Sequence, residues 1–155
     1  MRRKTAKRLP VLPDPRFNSE LVSKFVNNLM LEGKKSTALA IFYDAIDRVS
    51  QRTGEDGLEI WKKALNNVTP AVEVRSRRVG GATFQIPQPI RDSRKLSMAM
   101  KWMIGYARKR NEKSMSERLA FEIIAAAKEE GATFKKKEDT HRMAEANKAF
   151  SHFRF

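Results

Sequence analysis

The sequence predicts a mainly α, single-domain helical bundle of about six helices with a protruding two-stranded β-hairpin arm. Three observations predict it. Apolar residues recur at helical spacing in several separate stretches, most of them closed by Gly or Pro. One stretch alone, residues 72–87, reads as strand. The length of 155 residues suits one domain, which would bury roughly 70% of its unfolded surface.

Residues 1–16 read as a basic N-terminal arm. Arg2, Arg3, Lys4, Lys7 and Arg8 crowd its start, and Pro10, Pro13 and Pro15 forbid a regular helix. Like charges repel, so the arm is expected to be disordered alone and to order along a phosphate backbone. The helical domain then spans 17–149. Asn18-Ser19 can cap a first helix with Leu21, Val22, Phe25, Val26 and Leu29 on one face. Gly33 ends it, and Lys34-Lys35 falls in the turn, a natural place for a phosphate contact. A second helix turns Ala38, Leu39, Phe42, Ala45, Ile46 and Val49 inward and closes at Thr53-Gly54. Asp56 and Glu59 have capping-box spacing for a third, whose inner face is Leu58, Trp61, Leu65 and Val68. Trp61 lies in phase with the leucines, so it reads as core rather than as a base-stacking platform. Pro70 stops this helix.

The hairpin occupies 72–87. Gly80-Gly81 tolerates the positive φ of a two-residue turn. That register sets Val79 against Ala82, Arg77 against Phe84 and Arg75 against Ile86. Side chains alternate, so Arg75, Arg77, Phe84 and Ile86 share one face. Val74, Ser76, Arg78, Thr83 and Gln85 share the other. A lone ribbon is marginally stable in water, so this one should be held by something it touches. Arginine beside an aromatic ring suits phosphate contact and base stacking. Edge protection alone would need fewer than three arginines in four residues. Pro87 and Pro89 are expected to end the second strand.

Asp92 or Ser93 then starts a fourth helix with Leu96, Ala99, Met100, Met103, Ile104 and Ala107 inside. Methionines at this spacing are adaptable core filler. Arg94, Lys95, Lys101, Arg108, Lys109 and Arg110 lie outward or at its end, with Lys113 in the next loop. Late basic residues complement a helix dipole, but this many exceed that need. Ser114 and Glu117 have capping-box spacing for a fifth helix, with Leu119, Ala120, Ile123, Ile124 and Ala127 inside and Gly131 at its end. Lys135-Lys136-Lys137 is a basic patch. A last helix is predicted over His141–Ala149, with its start left open, because the apolar periodicity is weak. Residues 150–155 form a basic-aromatic C-terminal tail.

Lys and Arg number 32 against 18 Asp and Glu, a net charge of +14. Such a surplus implies an acidic partner, nucleic acid before membrane. There is no cysteine, which removes disulfides and thiolate metal sites. No apolar run approaches the roughly 18 residues of a membrane span, and no hydrophobic signal core follows the basic start. His141 and His152 belong to no metal-ligand spacing or nucleophile constellation. His141 is expected to be a polar surface or RNA-facing residue. Asp44 and Asp47 read as surface charge rather than an acid–base pair. The sequence argues for no enzyme, no metal and no cofactor.

Several stretches carry a family resemblance: Leu12-Pro13-Asp14-Pro15, Gly33–Ala38, Val72–Phe84, Ala107–Arg110 and Glu138–Phe150. In this order, over essentially the whole chain, they resemble bacterial-type small-subunit ribosomal protein seven. The resemblance implies a helical bundle with a β-arm that binds small-subunit rRNA directly and starts assembly of the head. It implies a place at the subunit interface near exit-site tRNA and mRNA, beside small-subunit ribosomal proteins nine and eleven. It also implies a cytoplasmic ribosome of bacterial type, with an organellar origin left open, and a working state that is no homo-oligomer. Carried over by residue, it marks Lys34, Lys35, Arg75, Arg77, Arg108, Lys109 and Arg110 for rRNA. Their charge adds Arg2, Arg3, Lys4, Lys7, Arg8, Arg94, Lys95 and Lys113. For tRNA and mRNA it marks Arg78, Gly80, Gly81 and Ala82 at the arm tip, and Arg142, Met143 and Asn147 on the last helix. Residues 93–98 and 153–155 depart from the pattern. The rival reading is an architectural protein that grips duplex DNA with a basic β-arm. A peripheral membrane protein is weaker, since the charge is spread over tails, hairpin and loops.

Overall fold

The computed structural model of the chain describes residues 9–153. Six α-helices and one hairpin follow in order: α1 Glu20–Leu29, α2 Lys35–Thr53, α3 Gly57–Val68, β1 Val72–Val79, β2 Ala82–Pro89, α4 Asp92–Arg108, α5 Met115–Ala127 and α6 Gly131–Ala146. A terminal 3-10 helix, Lys148–Phe153, ends the described chain. The mainly α class with a two-stranded antiparallel hairpin is the one the periodicity predicts.

The apolar stripes of α1 to α5 meet in one core. Trp61 lies at its centre, fully buried, with Phe25 and Phe42 edge-on at 5.3 and 5.2 Å. Truncating such a ring to Ala costs about 3–5 kcal/mol. Asp56 caps α3 by accepting from the Leu58 N–H at 3.0 Å, while Glu59 pairs with Lys62 instead of closing a capping box. At α5 the full capping box of Ser114 and Glu117 forms.

The hairpin register is the expected one, with Arg77 opposite Phe84 and Arg75 opposite Ile86. Gly80 and Gly81 both take positive φ, 57° and 90°, as the tight turn demands. The root of the ribbon packs on α6, and the terminal 3-10 helix packs on β2 further along the arm at Phe84. Residues 80–83 at its tip are exposed.

Three boundaries differ from expectation, each for a physical reason. β2 continues through Pro87 and Pro89, opposite Val74 and Val72. Both prolines fall on the parity whose N–H would point away from β1, so no ladder bond is lost. Gly131 opens α6 rather than closing α5. Its φ is +87°, and a Cβ there would lie 3.0 Å from the Ala125 Cβ. α6 therefore begins ten residues before His141. Its early inward face is Thr133 and Thr140, which hydrophobic periodicity cannot register. Third, the N-terminal segment is fixed before residue 17. Asp14 is buried, and its carboxylate accepts from the Tyr43 hydroxyl at 2.7 Å and from the Arg16 and Phe17 amides at 3.0 Å. Arg16 then pairs with Asp47 at 2.6 Å.

Candidate nucleic-acid interface

Alternation along the strands puts Glu73, Arg75 and Arg77 of β1 on one face with Phe84, Ile86 and Gln88 of β2. Ile86 is buried and seats the ribbon. Glu73 is buried too, and its two oxygens accept from Arg75 Nε at 2.8 Å and Arg94 Nε at 3.2 Å. One carboxylate so orients two guanidinium groups that are themselves more than half exposed. The result is a cleft of about 520 Å³ lined by Arg75, Ser76, Arg77, Ile86, Gln88 and Arg91. A second hollow of about 290 Å³ shares Arg75, Gln88 and Arg91 and adds Glu73, Pro89, Ser93 and Arg94. Arg75 and Arg94 share the Glu73 carboxylate, Arg91 lines both hollows, and Arg77 lines the first and donates to the Phe153 carbonyl at 2.6 Å. Arg91 is exposed and forms no ion pair among the described residues. Planar guanidinium groups held in a concave wall favour oxyanions that accept two hydrogen bonds side by side, such as phosphate.

Sequence reasoning missed Gln88 and Arg91. Ending the strand at Pro87 cut Gln88 from the Arg75 face. The face parity, carried two residues further, would have found it.

The other rRNA candidates differ in what already holds them. Lys35 and Lys113 are exposed and unpaired, and Lys34, at the α2 N-cap, is held by Glu32 at 2.6 Å. Lys95 bonds Asp92 at 2.7 Å and holds that carboxyl below its usual range. Arg108 donates to the Leu29 carbonyl at 3.1 Å, joining α4 to α1, and Lys109 lies over the Tyr106 ring at 5.3 Å. Arg110 is engaged inside the protein. It bonds both Glu112 oxygens, and its Nη1 donates to Glu122 at 2.9 Å. Glu122 is fully buried and also accepts from the Thr133 amide at 3.0 Å and hydroxyl at 2.5 Å. This places Arg110 in a strut between the α4–α5 loop, α5 and α6. Arg2, Arg3, Lys4, Lys7 and Arg8 lie outside the described residues.

At the arm tip Arg78, Gly80, Gly81 and Ala82 are exposed, and Arg78 is unpaired. On α6 the Arg142 side chain is 80% exposed and only 3.9 Å from Asp139. Met143 is 45% exposed, and Asn147 bonds back to the Met143 carbonyl at 2.7 Å.

His141 departs from its expectation. Its Nε2 accepts from the Ala71 amide at 3.1 Å, tying α6 to the hairpin root. Burial first, and Lys137 second, pull its pKa below the usual imidazole value. Asp44 pairs with Arg48 and Asp47 with Arg16, in keeping with surface charge. No group of acidic or histidine side chains among the described residues could hold a metal ion. No described helix is long and apolar enough to cross a membrane.

Fold and surface together define a basic, mainly helical protein whose β-arm and adjoining helix end form arginine-lined hollows. The chain belongs to the family described as ribosomal protein S7p/S5e, whose family model matches residues 1–148. It is 69% identical to the small ribosomal subunit protein uS7 of Flavobacterium johnsoniae and 63% identical to that of Cytophaga hutchinsonii, each over the whole of both chains. It is 58% identical to that of Gemmatimonas aurantiaca over 99% of both.

Proposed function

We propose that this chain is a structural protein of the small ribosomal subunit that binds small-subunit rRNA directly and starts assembly of the head. The observation that carries this reading is the pair of adjoining arginine-lined hollows in a chain matched to the family along residues 1–148. Phosphate neutralisation by these groups releases counterions and supplies affinity, while the rigid helices set position. In this reading Lys35, Lys113 and the basic residues before Leu9 add further phosphate contacts.

The arm tip and the outer face of α6 meet exit-site tRNA and mRNA in this reading, through Arg78, Arg142 and neighbours. Small-subunit ribosomal proteins nine and eleven are its protein neighbours, in a cytoplasmic ribosome, with one copy per particle. The role needs no catalysis, cofactor or metal. Sucrose-gradient fractionation of a lysate tests it. The chain should travel with small subunits and their precursors. Sedimentation at the top of the gradient, free of particles, would refute it.

A further inference from the structure

Phe84, on the same face as Arg75 and Arg77, is already covered. Phe153 stacks on it with ring centres 5.4 Å apart and planes inclined by 29°. Phe150 meets the same ring at 5.2 Å. The Phe153 carbonyl accepts from Arg77 Nη1 at 2.6 Å, the short distance of a charge-assisted bond. One residue of the tail therefore offers a flat ring to Phe84 and a polar oxygen to Arg77. An unstacked nucleotide offers the same pair, a base with a π face and a phosphate oxygen.

We propose that Phe84 and Arg77 form a nucleotide site for single-stranded RNA, which Phe153 fills in the free chain. The C-terminal segment then competes with RNA for the arm. The terminal 3-10 helix has no fully buried residue, so ring contacts and the Arg77 bond hold it rather than a core. Displacing it leaves the helical bundle intact. RNA that delivers a base to Phe84 and a phosphate to Arg77 replaces the Phe153 ring and carbonyl, and Phe150 leaves with the same segment. The arm becomes available only where a suitable unpaired nucleotide is presented, so the tail discriminates against duplex. This inference deepens the RNA-binding reading above and rests on it.

The test uses the full-length chain, a fluorescein-labelled ten-nucleotide oligouridylate and anisotropy at fixed low salt. Phe153→Ala should tighten binding on the order of three- to tenfold, because a base no longer has to displace a stacked ring. Phe84→Ala should weaken binding, and Phe153→Ala added to it should bring no gain. Unchanged or weaker binding by Phe153→Ala, with helical content intact by circular dichroism, would overturn the proposal. If the Ala variant loses helical content, Phe153→Leu keeps the apolar bulk without a flat ring, and the same two outcomes apply. Failure of every variant to bind oligouridylate while head-domain rRNA is held would refute the tail site alone. Failure on both RNAs would refute the RNA-binding reading itself.

Discussion

Replacing Arg110 with Ala separates a strut from a contact. The guanidinium is 29% exposed and pairs at 2.9 Å with Glu122, whose side chain is fully buried. Removing one member of a buried pair costs about 3–5 kcal/mol, since the other charge is left uncompensated. Glu122 would keep its two bonds from Thr133, and water already reaches the Arg110 side. The low end, about 3 kcal/mol, is therefore expected, a large part of a total of about 5–15 kcal/mol. With a urea slope of about 1–3 kcal/mol per molar, the midpoint should fall by roughly 1–3 M. Urea unfolding followed by circular dichroism measures this. Affinity for head-domain rRNA, at temperatures where the variant is folded, should keep its salt dependence. A midpoint unmoved within about 0.3 M, together with a shallower salt slope, would refute the strut and return Arg110 to the RNA surface.

Replacing Arg75 and Arg77 together with Ala should weaken rRNA binding and lower the slope of log affinity against log salt by about two; filter binding from 50 to 300 mM salt reads it, and an unchanged slope would mean the arm touches no backbone. Shortening the tip at Val79–Ala82 should leave rRNA affinity nearly intact but loosen exit-site tRNA on reconstituted subunits; a fall in rRNA affinity alone would contradict the division of surfaces. Tyr43→Phe removes a hydrogen bond to buried Asp14 and should cost about 1.5–3 kcal/mol in urea unfolding. Burial, then the Asp14 bond, pushes the Tyr43 hydroxyl up to about 12, so that stability holds below the ordinary tyrosine pKa and is lost as pH rises through the raised one. His141 is shifted the other way, so its contribution is present above the ordinary imidazole value and lost as pH falls through the depressed one. Stability measured from pH 8 to pH 5 should therefore decline less steeply in His141→Ala than in the parent chain.

The helical stripes and the hairpin register were legible because both are local periods. Gly80-Gly81 fixes the turn, and parity then fixes every pair from Val79–Ala82 to Val72–Pro89. What lay beyond reach was long-range pairing. Arg110 reads as one more cation until the buried Glu122 is placed beside it, and nothing local marks that carboxylate as buried. The start of α6 was hidden by the same kind of partner, since Thr133 is held by Glu122 rather than by apolar packing. Arg75 and Arg77 were found on one face with Phe84, but the ring that covers Phe84 comes from the far end of the chain. His141 looked exposed because the amide it accepts from, Ala71, is distant in sequence.

The central claim, that arginines gathered at the hairpin root meet folded rRNA, is tested most directly by competition. Affinity for a head-domain rRNA fragment and for duplex DNA of equal length should be measured at the same salt. The account predicts a clear preference for the rRNA, lost when Arg75, Arg77, Arg91 and Arg94 are neutralised. Equal or tighter binding of the duplex would contradict it.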